Sequence, residues 1–405
     1  MEATPMTGAP ILAGQAFDAP RGASIAGKVY TARLHTSLEA VMPLWLQCQA
    51  NGVCTAHQLY AWVEGIAKRL MPEGAELLVV EVVDAGTGDL KMLMPLMRSS
   101  RFGHRVIEWL SCGVCDYSAP LLADRDPWTP QAAEAAWAAI RSALPPSDRI
   151  HVTAIPHQIY GVANPLAMLA VAQESSLITS GLVLEGDPET LVKRNGRPSF
   201  VKAFNKDWRR LERHGGVDMI EGSTPALVET IFDTLIEMRL RRFRQLGRFD
   251  LLAQPAVVDF YRDAALRGLS DGSVRVFGLR AGNDWVAAQY ALLRQGTLHT
   301  LVIGIDEDVV KNVSPGLLMM GQLMVWARVE GLDYFDLSVG SQSYKEQFGA
   351  KGSALAEIDE TLTLLGKGVA GVASLRERAE LFMRSNPRLF KAGQSLVRGL
   401  RRLKG

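Results

Sequence analysis

The spacing of apolar positions changes repeatedly along the chain, and these changes predict alternating helices and strands. Helical spacing predicts helices at residues 56–70, 130–144, 200–213, 225–246, 255–269 and 315–330. Short apolar runs bounded by turn residues predict strands at residues 76–83, 91–97, 105–110, 149–155, 177–184, 274–279, 286–292, 298–305, 334–339 and 355–365. This alternation predicts an α/β fold of the α+β type, in which helices pack on a mixed sheet.

A turn-rich segment at residues 186–198, with Asp187-Pro188 and Asn195-Gly196, is the best internal boundary. The alternation of helices and strands starts again after it. Two successive regions of similar length and pattern predict a duplicated fold, although no literal sequence repeat is present. The predicted divisions are a flexible leader at 1–27, an N-terminal domain at 28–185, a C-terminal domain at 186–365 and a helical tail at 366–405.

The tail differs from the rest of the chain in charge. Residues 366–405 contain ten Lys or Arg and two Glu, a charge of +8; since the whole chain carries +1, the remainder carries −7. Apolar residues at helical spacing from Leu389 to Leu403 predict a basic amphipathic helix. Such a helix either binds an anionic membrane surface or packs its apolar stripe on the protein body.

The composition narrows the function classes. The 44 basic and 43 acidic side chains nearly balance, which gives no general case for binding DNA. No run approaches the ~18 apolar residues of a membrane span, and the first residues do not resemble a signal peptide. We therefore expect a cytoplasmic protein, peripheral at the inner membrane if the tail binds lipid. The four cysteines, including Cys112 and Cys115, indicate packed thiols rather than a disulfide scaffold or a metal site.

The segment from residue 298 to residue 349 carries the most chemical information. A strand is followed by a loop and by Ser314-Pro315-Gly316, where Ser314 suits an N-cap and Pro315 the first helical position. Gly316 leaves the first turn bare, so backbone N–H groups at the positive end of the helix are predicted to form an anion site. An ordinary, well-capped core helix is the alternative.

The same segment resembles a known family. Residues 312–318 (Asn-Val-Ser-Pro-Gly-Leu-Leu), 333–337 (Asp-Tyr-Phe-Asp-Leu) and 343–349 (Ser-Tyr-Lys-Glu-Gln-Phe-Gly) resemble the C-terminal signature of the CelD-like (cellulose-biosynthesis, BioF-type) branch of the GNAT acyltransferase superfamily. That branch is related to the FemABX transferases. Weaker resemblances to family motifs lie upstream, at residues 116–121, 204–213 and 239–247.

The resemblance implies two GNAT-like units in tandem, the second of which binds an acyl-coenzyme A. It places the acyl donor against Asn312, Val313, Ser314, Pro315, Gly316 and Leu317. The superfamily's pyrophosphate loop carries more glycine than this one, in which Gly316 is the single glycine between residues 311 and 316. FemABX relatives use aminoacyl-tRNA as the donor instead.

Acyl transfer requires a base for the attacking amine or hydroxyl, a donor for the oxyanion and an acid for the leaving thiolate. Tyr344 and Lys345, in the family motif, are the strongest candidates for contact with the substrate or acyl donor. His299 is a candidate base because its ordinary pKa is near neutral pH. Tyr290 is a further candidate, and Asp336 is a candidate for orienting a substrate amine. The alternative for each is a packed or solvated side chain without catalytic role.

Arginines cluster near the end of the helix predicted at residues 225–246. Among them, Arg239, Arg242 and Arg244 are candidates for clamping a phosphate or carboxylate of the substrate. A solvated helix face is the alternative interpretation.

The leading hypothesis is an acyl-CoA-dependent N- or O-acyltransferase in bacterial cell-envelope biosynthesis. Its acceptor is either a glycan precursor or a long-chain lipid amine such as a sphingoid base, as in ceramide synthesis. Two alternatives stay open: an aminoacyl-tRNA-dependent, Fem-like transferase and a non-catalytic GNAT-fold binding module.

Overall fold

The computed structural model describes residues 29–101, 103–340 and 342–368. The predicted leader and all of the predicted tail beyond residue 368 lie outside the described residues. Up to residue 185, the described elements are β1 (Tyr30–His35), α1 (Leu38–Asn51), α2 (Tyr60–Arg69), β2 (Glu76–Asp84), β3 (Leu90–Arg101), β4 (His104–Trp109), β5 (Leu121–Leu122), α3 (Pro130–Ala143), β6 (Arg149–Ile155), β7 (Gln158–Ile159), β8 (Val162–Ala163) and β9 (Ala172–Val183).

The second part of the chain adds helices first and strands later. Its described elements are α4 (Leu191–Asn195), α5 (Pro198–Glu212), β10 (Val217–Glu221), α6 (Pro225–Gln245), α7 (Pro255–Asp271), β11 (Val274–Ala281), β12 (Asp284–Arg294), β13 (Thr297–Ile305), α8 (Pro315–Val329), β14 (Tyr334–Val339), α9 (Tyr344–Gln347) and β15 (Lys351–Thr361).

Both parts of the chain follow the same order of elements. A strand, two helices, three strands, a helix and a further strand run from β1 to β6, with only the two-residue β5 added, and again from β10 to β14. The predicted α/β fold with a mixed sheet is confirmed, and the repeated order accounts for the duplication seen in the sequence pattern.

The two units share one sheet. Its strand order is β1-β2-β3-β4-β6-β15-β9-β14-β13-β12-β11-β10, with β5 paired to β3. The last strand, β15, therefore lies between two strands of the first part of the chain, β6 and β9, and pairs antiparallel with both. This pairing places a strand from the C-terminal end of the described chain at the centre of the sheet.

Two pairs of neighbouring strands in this sheet are parallel, and both pairs are short. Strands β13 and β14 pair at three positions and separate after His299 and Asp336. Strands β4 and β6 also pair at three positions and separate after Glu108 and His151. Each unit therefore opens a wedge between two parallel strands at the corresponding place.

The core lies on both faces of the sheet, because successive side chains of a strand point to opposite faces. Helices α1, α2, α6 and α7 pack together over one face and join the two units in a single apolar cluster. On the other face, α3 covers the first unit and α5 and α8 cover the second. The predicted burial of the helix at residues 315–330 is confirmed by Leu318, Met319 and Leu323, which are buried in α8.

The structure corrects several predicted elements. Residues 56–70 do not form one helix: Leu59 is extended, so a 3₁₀ turn at Ala56–Gln58 precedes α2. The last strand ends at Thr361 instead of residue 365. Helix α1 was missed because Pro43 stands inside it, where proline normally disfavours a helix. The edge strands β1 and β10 were missed as well.

Candidate active site at the junction of the two units

A histidine and an aspartate meet where β13 and β14 separate. His299 Nδ1 lies 2.8 Å from Asp336 Oδ2, and both side chains are fully buried. They are the last paired residues of the parallel ladder, so the backbone fixes them opposite each other. The structure thus brings together two of the residues predicted from the sequence.

Asp336 is the centre of a hydrogen-bond network. Its Oδ2 also accepts from the Tyr117 hydroxyl at 2.7 Å, and its Oδ1 accepts from the Ser338 N–H at 2.7 Å. The Tyr117 hydroxyl lies 2.5 Å from Thr179 Oγ1. Burial would raise the pKa of Asp336, but the interactions with His299, Tyr117 and the Ser338 N–H lower it below its ordinary value. Asp336 is therefore a buried, ionised carboxylate.

The second ring nitrogen of His299 is occupied too. Its Nε2 lies 3.1 Å from the hydroxyl of Tyr160, a buried residue in the left-handed region at φ 47°. Since Asp336 is ionised and can only accept, His299 donates from Nδ1 to Asp336, and its Nε2 shares the second hydrogen bond with the Tyr160 hydroxyl. Burial raises the pKa of Tyr160 well above its ordinary value, which keeps the hydroxyl protonated as a donor.

The ring of His57 lies against this network. It is fully buried, its ring centroid is 6.0 Å from that of His299, and neither ring nitrogen has a hydrogen-bond partner among the described residues. Burial and the neighbouring His299 lower the pKa of His57 to about 3, so the ring is neutral. Buried polar groups in native proteins are nearly always paired. His57 is thus a buried polar group that the described residues leave unsatisfied.

Lys345 comes from the short helix α9 and lies beside the same network. Its side chain is 2 % exposed, and Nζ donates to the Ser338 carbonyl at 2.8 Å. Burial lowers the pKa of Lys345 to about 8, although Asp336 and Asp116 oppose the shift. A buried lysine close to two carboxyl groups is therefore protonated at neutral pH but titrates just above it.

Asp116 approaches from the first unit, in the loop that follows β4, and remains partly exposed. Desolvation and the charge of Asp336 raise the pKa of Asp116 to about 6, while Ser338, the Val339 N–H and Lys345 oppose the rise. Asp116 and Lys345 are thus shifted in opposite directions, toward neutral pH. Groups with this behaviour are frequent at catalytic sites.

The other two predicted catalytic residues lie outside this network. The Tyr290 hydroxyl donates to the Tyr261 carbonyl at 3.1 Å, in the core formed by α6 and α7. Tyr344 is half-buried and packs at the edge of the core around α5 and α8, where burial raises its pKa. Their contacts are those of packing residues.

The loop at residues 312–317, predicted to bind the acyl donor, does not present the free backbone N–H groups that were expected at the start of α8. Helix α8 does begin at Pro315, but the Ser314 side chain makes no capping hydrogen bond, contrary to the expectation for an N-cap. Instead the Ser314 N–H donates to Asp207 Oδ2 on α5 at 3.1 Å, and Pro315 has no N–H to offer. Gly316 faces β13, where an added Cβ would lie 3.1 Å from Ile305.

A groove does run beside this loop. Its volume is about 350 Å³, and α5, the start of α8 and Gln347 line it. Phe200, Phe204 and Leu317 provide apolar surface, while Arg197 and Asp207 provide opposite charges. Asn312 and Val313 precede the groove, with Asn312 at φ 56° and its carbonyl accepting from Arg210 at 2.6 Å.

The three predicted arginines are largely engaged within the protein. Arg239 donates to Asp250 Oδ2 at 2.8 Å and to the Ile303 carbonyl at 3.2 Å, which connects α6 to β13. Arg242 lies 3.0 Å from Glu307 Oε1, and Arg244 donates to the Leu240 carbonyl of its own helix. Arg239 therefore has a structural role, and Arg242 contacts the loop that precedes α8.

Several residues of the network were not predicted from the sequence: His57, Asp116, Tyr117, Tyr160 and Thr179. All five belong to the first unit, whereas His299, Asp336 and Lys345 belong to the second. The single signal available was the family motif at residues 116–121, which contains Asp116 and Tyr117 but did not indicate their roles. The network exists because the two units join edge to edge in one sheet, where β14 pairs with β9.

Comparisons with known proteins agree with this fold. Residues 198–346 match the family model of the Acetyltransferase (GNAT) domain. The match covers most of the second unit, which is therefore similar to a GNAT acetyltransferase domain. No curated protein matches the sequence at a significant level.

One solved structure extends the likeness to both units. The crystal structure of FemX is similar with a TM-score of 0.55 and 10% identity, over 84% of this chain and 98% of that one. A conserved protein of unknown function from Bacteroides thetaiotaomicron VPI-5482 gives a TM-score of 0.49 and 10% identity over 82% and 99%. A tandem GNAT protein from the clavulanic acid biosynthesis pathway gives 0.40 and 11% over 82% and 98%. At these identities the FemX likeness establishes the fold only.

Within the described part of the chain, no helix combines the length and the apolar character that crossing a bilayer requires.

Proposed function

We propose that the protein is an acyl-CoA-dependent N- or O-acyltransferase of the CelD-like branch, acting in cell-envelope biosynthesis on a glycan precursor or a long-chain lipid amine. The observation that carries the proposal is the meeting of Asp116 and Lys345, one from each unit, around the ionised Asp336. The GNAT domain supports acyl transfer as the reaction type. If the predicted tail binds lipid, the enzyme works at the inner membrane surface.

Asp116 is assigned the role of general base. It is partly exposed, and with a pKa of about 6 it is mostly ionised at neutral pH while remaining basic enough to accept a proton. As the acceptor amine or hydroxyl attacks the thioester carbonyl, its proton passes to the Asp116 carboxylate. A new carbon–nitrogen or carbon–oxygen bond forms at the carbonyl carbon.

Lys345 is assigned the stabilisation of negative charge. Its ammonium group, protonated below a pKa of about 8, lies in a buried setting where a charge acts more strongly than in water. It stabilises the developing oxyanion and, when the carbon–sulfur bond breaks, supplies a proton to the thiolate. Asp116 then returns a proton to the lysine.

His299 and Asp336 are positioning residues in this proposal. Both nitrogens of His299 are hydrogen-bonded and its side chain has no exposed surface, so it acts through Asp336. Asp336 in turn holds the Ser338 N–H and contributes to the pKa values of both Asp116 and Lys345. The proposed base is therefore Asp116, and not His299, the candidate that the sequence suggested.

The groove beside α8 is the proposed place for the acyl donor. Phe200, Phe204 and Leu317 would contact its apolar portion, and Arg197 would hold a phosphate. Asp207 opposes this assignment, because its carboxylate lines the groove and occupies the Ser314 N–H. The groove therefore suits the apolar portion of the donor, and Asp207 weakens the binding of a phosphate at Arg197.

Asp207→Asn is expected to bind acyl-CoA about three- to tenfold more tightly than the wild type. The amide oxygen still accepts from the Ser314 N–H, while the charge that repels phosphate is gone. Calorimetric titration with acetyl-, medium-chain and long-chain acyl-CoA measures the change, with Asp308→Asn as the matched exposed control. Failure of every donor to bind either protein would refute the coenzyme A assignment.

The rate should depend on pH as a bell with limbs near pH 6 and pH 8. The rising limb follows from deprotonation of Asp116 and the falling limb from deprotonation of Lys345. Lys345→Arg should retain part of the activity and move the falling limb above pH 9, since arginine stays protonated. Profiles of kcat/KM measure both limbs, and Lys351→Arg, on an exposed lysine, should leave them unchanged.

One observation favours a second candidate, an aminoacyl-tRNA-dependent transferase like the FemABX proteins. Asp207 and Pro315 together remove two of the backbone donors that a pyrophosphate would use at the start of α8. A donor without a pyrophosphate at this position would not need these two N–H groups. Transfer from aminoacyl-tRNA, with no transfer from acyl-CoA, would identify this function.

A further inference from the structure

The two units place the same chemistry at the same structural position. In the second unit the parallel ladder ends with His299 opposite Asp336, and in the first unit it ends with Glu108 opposite His151. Each ladder has three paired positions. The histidine lies on the first strand of the pair in the second unit (β13) and on the second strand of the pair in the first unit (β6). The first unit therefore carries its own carboxylate and imidazole at the opening between β4 and β6.

This opening, unlike its counterpart, is accessible. A cavity of about 430 Å³ lies over Glu108 and His151, both of which are partly exposed. Its volume lies in the range of small-molecule sites. Apolar surface comes from Met97, Trp109 and Val257, and polar groups come from Ser118 and Thr153. Residues 251–257 of the second unit close one side, so the cavity lies between the two units.

The charges of this cavity favour a cation. Ser99 Oγ donates to Glu108 Oε2 at 3.3 Å, but among the described residues no basic side chain lies within ion-pair distance of Glu108. Arg69, which also lines the cavity, is paired with Asp263. A carboxylate with a hydroxyl neighbour and no cation provides a complementary site for an ammonium group.

The cavity also lies next to the proposed catalytic residues. Ser118 forms part of its wall, and the two preceding residues are Tyr117, which donates to Asp336, and Asp116. A molecule held over Glu108 is therefore separated from the junction network by one short segment of chain.

We propose that this cavity binds the acceptor, that the acceptor is a primary amine with an apolar body, and that Glu108 holds its ammonium group. The inference rests on the proposed acyltransferase function and names its substrate class. Trp109, Met97 and Val257 contact the apolar body, and His151 and Ser118 offer hydrogen bonds to polar substituents. The ammonium group releases one proton to solvent as it leaves Glu108, and the neutral amine then reaches Asp116, which accepts a second proton during attack on the thioester.

Calorimetric titration with hexylamine and with 1-hexanol tests the assignment on the full chain. Hexylamine should bind the wild type, and Glu108→Gln should weaken it at least tenfold while leaving hexanol unaffected. Glu108→Asp, which keeps the charge, should restore part of the affinity. Glu189→Gln, on an exposed glutamate, serves as the matched control, and thermal unfolding shows whether each variant is folded.

Lys345→Met separates this inference from the proposed function. It should bind hexylamine like the wild type and yet fail to transfer an acyl group. Absence of hexylamine binding to the wild type, or equal binding to the wild type and Glu108→Gln, would overturn the amine site whether or not the protein transfers acyl groups. Binding that depends on Glu108, without turnover of any donor, would retain the site and refute the transferase.

Discussion

Replacement of Asp116 by Asn is expected to lower kcat by about 10²- to 10⁴-fold, the usual contribution of a general base. The amide keeps the size of the carboxyl group but cannot accept the proton of the acceptor. Because Asp116 is partly exposed, little change in the free energy of unfolding should accompany the loss. Steady-state transfer kinetics, together with urea unfolding of the same preparation, measure both quantities.

Lys345→Met should produce a loss of similar size, since the methionine fills the same space without a charge or a donor. Suitable controls are Asp126→Asn and Lys351→Met, two exposed side chains away from the network. Retention of more than about a third of the wild-type kcat in both Asp116→Asn and Lys345→Met would mean that neither residue touches the reacting atoms.

Replacement of Asp336 by Ala is expected to lower the free energy of unfolding by about 3–5 kcal/mol, the typical effect of breaking a buried polar pair from one side. The substitution leaves the His299 Nδ1–H, the Tyr117 hydroxyl and the Ser338 N–H without their common acceptor. All three groups are buried, so water cannot replace the carboxylate without rearrangement. Urea denaturation at pH 7 measures the difference.

Acid should reduce this difference, and the direction follows from the lowered pKa of Asp336. A carboxylate whose pKa is lower in the folded state stabilises the protein above its unfolded pKa of about 3.9 and loses that contribution as the pH falls through the folded value. The gap between the wild type and Asp336→Ala should therefore narrow below pH 4. Asp308→Ala, at an exposed ion pair, should leave stability nearly unchanged at any pH. An Asp336→Ala effect as small as that would show that the network does not stabilise the junction.

Local sequence pattern was sufficient for most of the fold, because the helices and strands of each unit have strong apolar periodicity. It failed where the local signal conflicted with tertiary packing. Pro43 concealed α1, which is held by the burial of Val41, Trp45 and Cys48. The position of β15 between β6 and β9 depends on residues far apart in the chain, and periodicity carries no information about such pairing.

The candidate site was predictable only in part, for the same reason. His299, Asp336 and Lys345 were found because they stand in or near the segment that resembles a family signature. Asp116 lies far from them in sequence, and its role depends on a pKa that only the folded environment sets. Gly316 had indicated an open anion site, but its lack of a side chain allows close packing against Ile305.

The domain division at residues 185 and 186 stays a prediction. One continuous sheet and one shared apolar cluster join the two units, and β15 pairs with strands of the first. We therefore regard the junction, rather than either unit, as the functional centre of the molecule.

The most direct test of this account is to incubate the wild-type protein and Asp116→Asn with acyl-CoA and a primary amine, and to follow both thiol release and the acylated amine by mass spectrometry. The account predicts equal amounts of free thiol and amide from the wild type, and a loss of at least a hundredfold in the variant. Absence of amide from the wild type with every acyl chain length, or equal rates from both proteins, would contradict it.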